Sequence, residues 1–260
     1  MKKTKHSDYK SILKSLGMAF LMMLFVLIAV FASQIVIARI MVLLLGEKVN
    51  QPVPLTIVSA LSYALAIIII IWLPSVIKAK LQKKPFPKKM IDKTELGLRG
   101  FLSWTDIGLA LVGFIAYFIL ASILTSLFTQ LLPWFDAEET QEIGYSVYAG
   151  GIDKLVAFFS LVIVAPIAEE IIFRGWLYGK MRAKLSKTMS NIWSVIISVF
   201  LVSLTFGFMH LQWNVGVNVF AMSVILCLMR EVTGTIYVDI LMHMIKNGLA
   251  FYLLFVLGVG

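Results

Sequence analysis

The chain has 260 residues, of which 60% are hydrophobic and 14% charged, with a mean hydropathy of +0.93. A soluble domain carries about 25% charged residues, so this composition excludes a single water-surrounded core and points to lipid as the solvent. The net charge of +9 would suggest nucleic acid in a soluble protein, but the basic residues lie in short connections between apolar stretches. No nucleic-acid partner is expected, and the charge reads as a marker of the cytoplasmic side.

A spanning helix needs about 20 mostly apolar residues, and in lipid it must satisfy its own backbone hydrogen bonds. The pattern predicts an all-α polytopic transmembrane bundle of about seven spans, with six to eight as the range. They fall at roughly 15–45, 55–77, 105–132, 152–178, 190–210, 214–230 and 234–258. The first apolar run, Leu16 to Leu45, outlasts the roughly 7–15 residues of a signal peptide and reads as a retained helix. Arg39, near its end, can snorkel to the interface. Asp106 opens the third span and reads as a cap or dipole partner. The lone cysteine, Cys227, allows no intrachain disulfide.

Alternate connections carry the charge. The N-terminal segment, the stretch Lys78–Arg99, the stretch Arg174–Lys187 and Arg230 together hold 19 of the 23 basic residues, whereas Asp136–Asp153 is acidic. The positive-inside rule places the N-terminus in the cytoplasm. Short loops and many Lys and Ile residues suggest a bacterial plasma membrane. Residues 1–150 read as transmembrane helices without a recognisable motif, and 151–260 as a helical core that carries one.

Ionisable residues inside apolar spans are costly and mark function. Three places hold them. Glu169 and Glu170 follow an apolar run; Glu170 and Arg174 are i,i+4 and can pair, which leaves Glu169 for another task. A carboxylate beside a second one in low dielectric can serve as a general base near neutral pH. His210 ends the fifth span, one turn after Phe206. His243 and Asn247 are i,i+4 and project from one helix face. Each has a structural alternative: a salt-bridge cluster at a helix end, an interfacial histidine, a pair of interhelical hydrogen-bonding residues. Together they supply what amide hydrolysis requires, a carboxylate and imidazole to deprotonate water and donors for an oxyanion.

In order and spacing, Glu169-Glu170-x-x-x-Arg174, Phe206-x-x-x-His210 and His243-x-x-x-Asn247 resemble the three motifs of the CAAX protease and bacteriocin-processing (CPBP, or Abi) family of intramembrane endopeptidases. Thr233-Gly234, upstream of the last histidine, fits as well. The resemblance covers about residues 150–250. It implies Glu169 as general base helped by His210, Glu170 and Arg174 as a supporting ion pair, His243 and Asn247 as an oxyanion hole, and Phe206 as the packing residue that fixes the ring of His210. It also implies a peptide or protein substrate at the bilayer. The family is often described as metalloproteases, and zinc held by Glu169, His210 and His243 would suit the ligand types. The absence of His-Glu-x-x-His and the adjacent arginine favour a metal-free site. Two other readings stand beside this one: a non-catalytic scaffold or bacteriocin-immunity protein of the same fold, and a transporter using the carboxylates as a proton relay.

Depth raises a difficulty. As simple crossings, spans 152–178 and 190–210 place Glu169 about 24 Å from the outer end of its helix and His210 about 30 Å from the inner end of its own. The two meet only if one helix extends beyond the bilayer or 190–230 is not two simple crossings.

Overall fold

A computed structural model describes residues 9–83, 93–139 and 151–258. His6, most of the N-terminal lysines, part of Lys78–Arg99 and part of the acidic connection, Glu142 included, lie outside them. Among the described residues there is no strand, and seven helices are long and apolar enough to cross a membrane. They are α1 (Tyr9–Asn50), α2 (Pro52–Leu81), α3 (Trp104–Leu131), α4 (Gly151–Leu185), α5 (Asn191–Phe208), α6 (Trp213–Thr233) and α7 (Tyr237–Leu257). The protein is an integral membrane helical bundle.

Small and hydroxylated residues are prominent in the buried stripe of the first helix. On α1 the buried stripe is Ser15, Ala19, Met23, Val26, Ala29, Val30 and Ser33, at helical spacing, while Ile28, Ile35 and Leu43 face outward. Small residues let backbones approach where lipid offers no hydrophobic drive between helices. Two of the buried hydroxyls satisfy themselves on the preceding turn: Ser33 donates to the Ala29 carbonyl at 2.7 Å and Ser198 to the Ser194 carbonyl at 2.6 Å. At the crossing of α5 and α6 a Cβ on Gly207 would meet the Gly216 carbonyl oxygen at 2.9 Å, so the two backbones touch. Asp106 is a cap as expected, closing a reciprocal capping box with Ser103. Arg39 is exposed.

Prolines shape two of the helices. Wide, π-helical turns occur at Ile68–Trp72 and Phe159–Val164, each ending two residues before a proline, Pro74 and Pro166. A proline in a helix interior removes one donor and crowds the carbonyl four residues back, and a local widening accommodates it. A third π-helical stretch, Ile171–Tyr178, follows the glutamate pair.

The expected end of the fourth span at 178 is corrected. α4 continues to Leu185, so Lys180, Arg182 and Lys184 lie on helix and not in a loop. Arg182 is held there by Glu231 of α6 at 2.9 Å and by Ser194 of α5 at 2.8 Å. This length removes the depth difficulty. Measured from the turn joining α4 and α5, Glu169 lies about 24 Å from Leu185 and His210 about 28 Å beyond Asn191, nearly the same level.

The bundle has a basic and an acidic end. At the first, Lys180 pairs with Glu95 at 2.6 Å, Ile236 N–H donates to the Gly97 carbonyl at 3.1 Å, and the Arg230 guanidinium lies against Gly97. At the other, Asn214 donates to the Glu139 carbonyl at 2.6 Å, and Trp134 meets Trp213 edge-on.

Candidate active site

The site is built where α4 and α7 run antiparallel, with α5 closing one side and α2 another. Its levels follow the register of the two helices. At one level the Asn247 side-chain amide donates to the Leu161 carbonyl at 2.8 Å. That carbonyl lies in the π-helical turn before Pro166, where its partner would be the N–H five residues on; residue 166 is proline and has none. Asn247 therefore satisfies a backbone acceptor that the sequence itself orphans, and one of its two N–H groups is engaged in doing so.

At the next level His243 is gripped by both glutamates. Its Nδ1 lies 2.8 Å from Glu170 Oε1 and its Nε2 lies 3.7 Å from Glu169 Oε2. Glu170 Oε1 also accepts from Arg174 Nη1 at 3.0 Å, and neither Glu170 nor Arg174 has any solvent exposure. A carboxylate already paired with a guanidinium takes a proton donor from the ring, so Nδ1 carries hydrogen and Nε2 is directed at Glu169. Glu169 is 8% exposed. Its Oε1 accepts a short hydrogen bond from the Tyr63 hydroxyl of α2, which leaves Oε2 facing His243.

Phe206, fully buried on α5, ties these groups together. Its ring stands edge-on to His210 (centroids 5.2 Å apart) and to His243 (6.0 Å), packs against Phe173 at 4.9 Å, and carries the Arg174 guanidinium 4.5 Å above its face. His210 lies in the connection between α5 and α6. Its Nδ1 is 3.0 Å from the Phe206 carbonyl, an acceptor, so Nε2 is the nitrogen left for chemistry. Burial holds this imidazole below its ordinary value, opposed by the Glu169 carboxylate and the Phe206 carbonyl; near neutral pH the ring is uncharged.

The structure thus brings Glu169, Glu170, Arg174, Phe206, His210, His243 and Asn247 to one interior. It adds three residues that the sequence did not single out. Tyr63 comes from the motif-free first half. Asp239, with no exposure and both carboxylate oxygens unpaired among the described residues, lies one turn before His243 and within electrostatic reach of Glu170, Arg174 and Arg230. Lys246 is half-buried beside Asn247. The i, i+4, i+8 spacing of Asp239, His243 and Asn247 is visible in the sequence; nothing local marks Tyr63. Among the described residues no three His, Cys, Asp or Glu side chains are grouped so as to hold a metal ion, and His243 turns its Nδ1 onto Glu170.

Residues 151–249 match the family model described as type II CAAX prenyl endopeptidase Rce1-like. No curated protein matches the chain, and no solved structure does.

Proposed function

With residues 151–249 assigned by that match to the CAAX protease (CPBP) family, we propose that the protein is an intramembrane endopeptidase that hydrolyses a peptide bond of a membrane-associated peptide or precursor by activating water directly. The observation that carries this reading is the gap between Glu169 Oε2 and His243 Nε2, 3.7 Å. It is too long for a direct hydrogen bond and suits a water touching both groups. Glu169 takes a proton from that water, with the neutral His210 ring sharing the base role, as the water oxygen bonds to the substrate carbonyl carbon. The carbonyl π pair moves onto oxygen as an oxyanion. When the pair returns, the C–N bond breaks and the amine leaves with the proton held by Glu169. The Glu170–Arg174 pair keeps His243 in place, and the second N–H of Asn247 is available to the oxyanion.

Residues 151–260 form the catalytic core in this reading, while the helices before it contribute Tyr63 and lipid contact. The basic end faces the cytoplasm of a bacterial cell, with the N-terminus on that side. An apolar cleft of about 420 Å³ beside the His210 turn, lined by Phe128, Phe200, Leu204, Phe208, Leu211 and Phe220 among others, suits the apolar part of a membrane-bound substrate.

The test is cleavage of a reporter peptide library by purified protein in nanodiscs, with and without a chelator. Wild type cuts, Glu169→Ala and His210→Ala each lose about 10²–10⁴-fold in rate, and the chelator changes nothing. No cleavage by wild type, with a Glu169→Ala strain indistinguishable from its parent, would put a scaffold in place of the protease; loss of cleavage with chelator alone would reject direct activation of water.

A further inference from the structure

The wide turn ahead of the two glutamates leaves one backbone acceptor without a backbone donor. In a regular α-helix the Leu161 carbonyl would take the N–H of Ala165. In the turn Phe159–Val164 the Ala165 N–H donates to the Ser160 carbonyl instead. The Leu161 carbonyl is then left to the residue five places on. That residue is Pro166, which carries no N–H. A carbonyl without a donor is costly within a membrane span, and α7 supplies one: the Asn247 side-chain amide donates to Leu161 at 2.8 Å. The two helices run close here, since a Cβ on Gly248 would lie 3.6 Å from Val162 Cγ1.

That bond decides how the amide stands. The terminal torsion of an asparagine is broad and roughly two-fold, so an unanchored Asn247 would present oxygen about as readily as nitrogen. Its oxygen would repel an oxyanion. The Leu161 carbonyl only accepts, so it selects the nitrogen. One N–H goes to that carbonyl, and the second diverges from it in the amide plane. Asn247 shares a helix face with His243, one turn away, and His243 Nε2 lies 3.7 Å from Glu169 Oε2. The orientation of this amide is therefore fixed within one turn of the groups that activate water.

We propose that Pro166 is a positioning residue for the reaction. By denying Leu161 a backbone donor it keeps that carbonyl as the anchor of Asn247, and so holds the second N–H ready for the oxyanion formed when water adds to the substrate carbonyl. The assignment rests on the protease reading. Pro166 acts through Leu161 and Asn247 and needs no contact with substrate. A donor aimed in advance counts most where charge develops only in the transition state.

The experiment is a double-mutant cycle on the full chain in nanodiscs, with a peptide that wild type cuts. Pro166→Ala restores an N–H at position 166. The expected loss is about 10–100-fold in kcat, with KM within about twofold. Affinity for a phosphinate isostere of the scissile bond, which bears a negative charge at the tetrahedral centre, falls by a similar factor. Asn247→Ala loses about 10²–10³-fold, the range for one oxyanion donor. The double variant stays within about twofold of Asn247→Ala, because the proline then has nothing left to aim. Losses that multiply overturn the assignment, since they would mean that residue 166 acts elsewhere, for instance on Glu169, its helix neighbour three residues on. A kcat within about threefold of wild type in either single variant overturns it as well. If Pro166→Ala does not purify as folded protein, Pro166→Val, closer in volume, is judged by the same thresholds. A wild type that cuts no peptide overturns the protease reading itself, a result distinct from any of these.

Discussion

α3 and α4 are both apolar spans, and they use their residues in opposite ways. α3 buries Ala110, Gly113, Tyr117 and Ala121 and turns Val112, Ile115 and Phe118 outward, each about 60% exposed. α4 buries Glu169, Glu170 and Arg174. Hydrophobicity, the property that identifies both as helices, therefore says nothing about which side of either packs. In lipid an exposed isoleucine costs nothing: α3 packs through small residues, whereas the packed face of α4 sets Ile172, Phe173 and Leu177 beside its charges.

The comparison can be pressed experimentally, beginning where the largest effect is expected. Arg174→Met removes the cation from a fully buried pair and leaves the Glu170 carboxylate with the His243 ring but without its guanidinium. A loss of about 3–5 kcal/mol is expected for breaking such a pair, read from unfolding in lipid or detergent. The double change Glu170→Gln with Arg174→Met recovers most of that stability without recovering activity. A single variant as stable as wild type would show that the pair is not enclosed as described.

Tyr63→Phe comes next. It deletes one hydrogen bond to the Glu169 carboxylate, worth about 1.5–3 kcal/mol for a charged acceptor. Some 10–100-fold in kcat should go, with a loss of stability no larger than that bond, and an unchanged rate would separate α2 from the chemistry. On α3 the order of sensitivity reverses ordinary intuition. A Cβ on Gly113 would meet Met242 Sδ at 3.0 Å, so Gly113→Val should destabilise by about 1–3 kcal/mol through overpacking. Phe118→Leu, on the lipid face, should stay within about 0.5 kcal/mol. Equal effects at the two positions would mean that α3 is packed on a face other than the one described.

The seven spans, the capping role of Asp106 and the motif residues were legible in the sequence, because each depends on local pattern: an apolar run, an acid at a helix start, an i,i+4 spacing. What was not legible depends on distance or backbone. Tyr63 looks like any aromatic in an apolar span until α2 sets it against a residue 106 positions away. The true end of α4 was hidden because Lys180, Arg182 and Lys184 suggest a loop when lipid is assumed around them; they continue a helix whose charges are answered by Glu95 and Glu231. The partner of Asn247 could not be found by matching side chains, since it is the Leu161 carbonyl, set free by Pro166, 2.8 Å away in space and 86 positions away in sequence.

The contact of Gly207 with Gly216 has a mechanical consequence for catalysis. His210 hangs three residues beyond Gly207, its N–H donating to the Gly207 carbonyl at 3.2 Å, and the reversal that follows passes through Leu211 at a φ of +55°. The crossing acts as a fulcrum: prying the two backbones apart by a single methyl group at 207 would swing the imidazole at the tip of the lever away from Glu169 before any catalytic side chain had been altered.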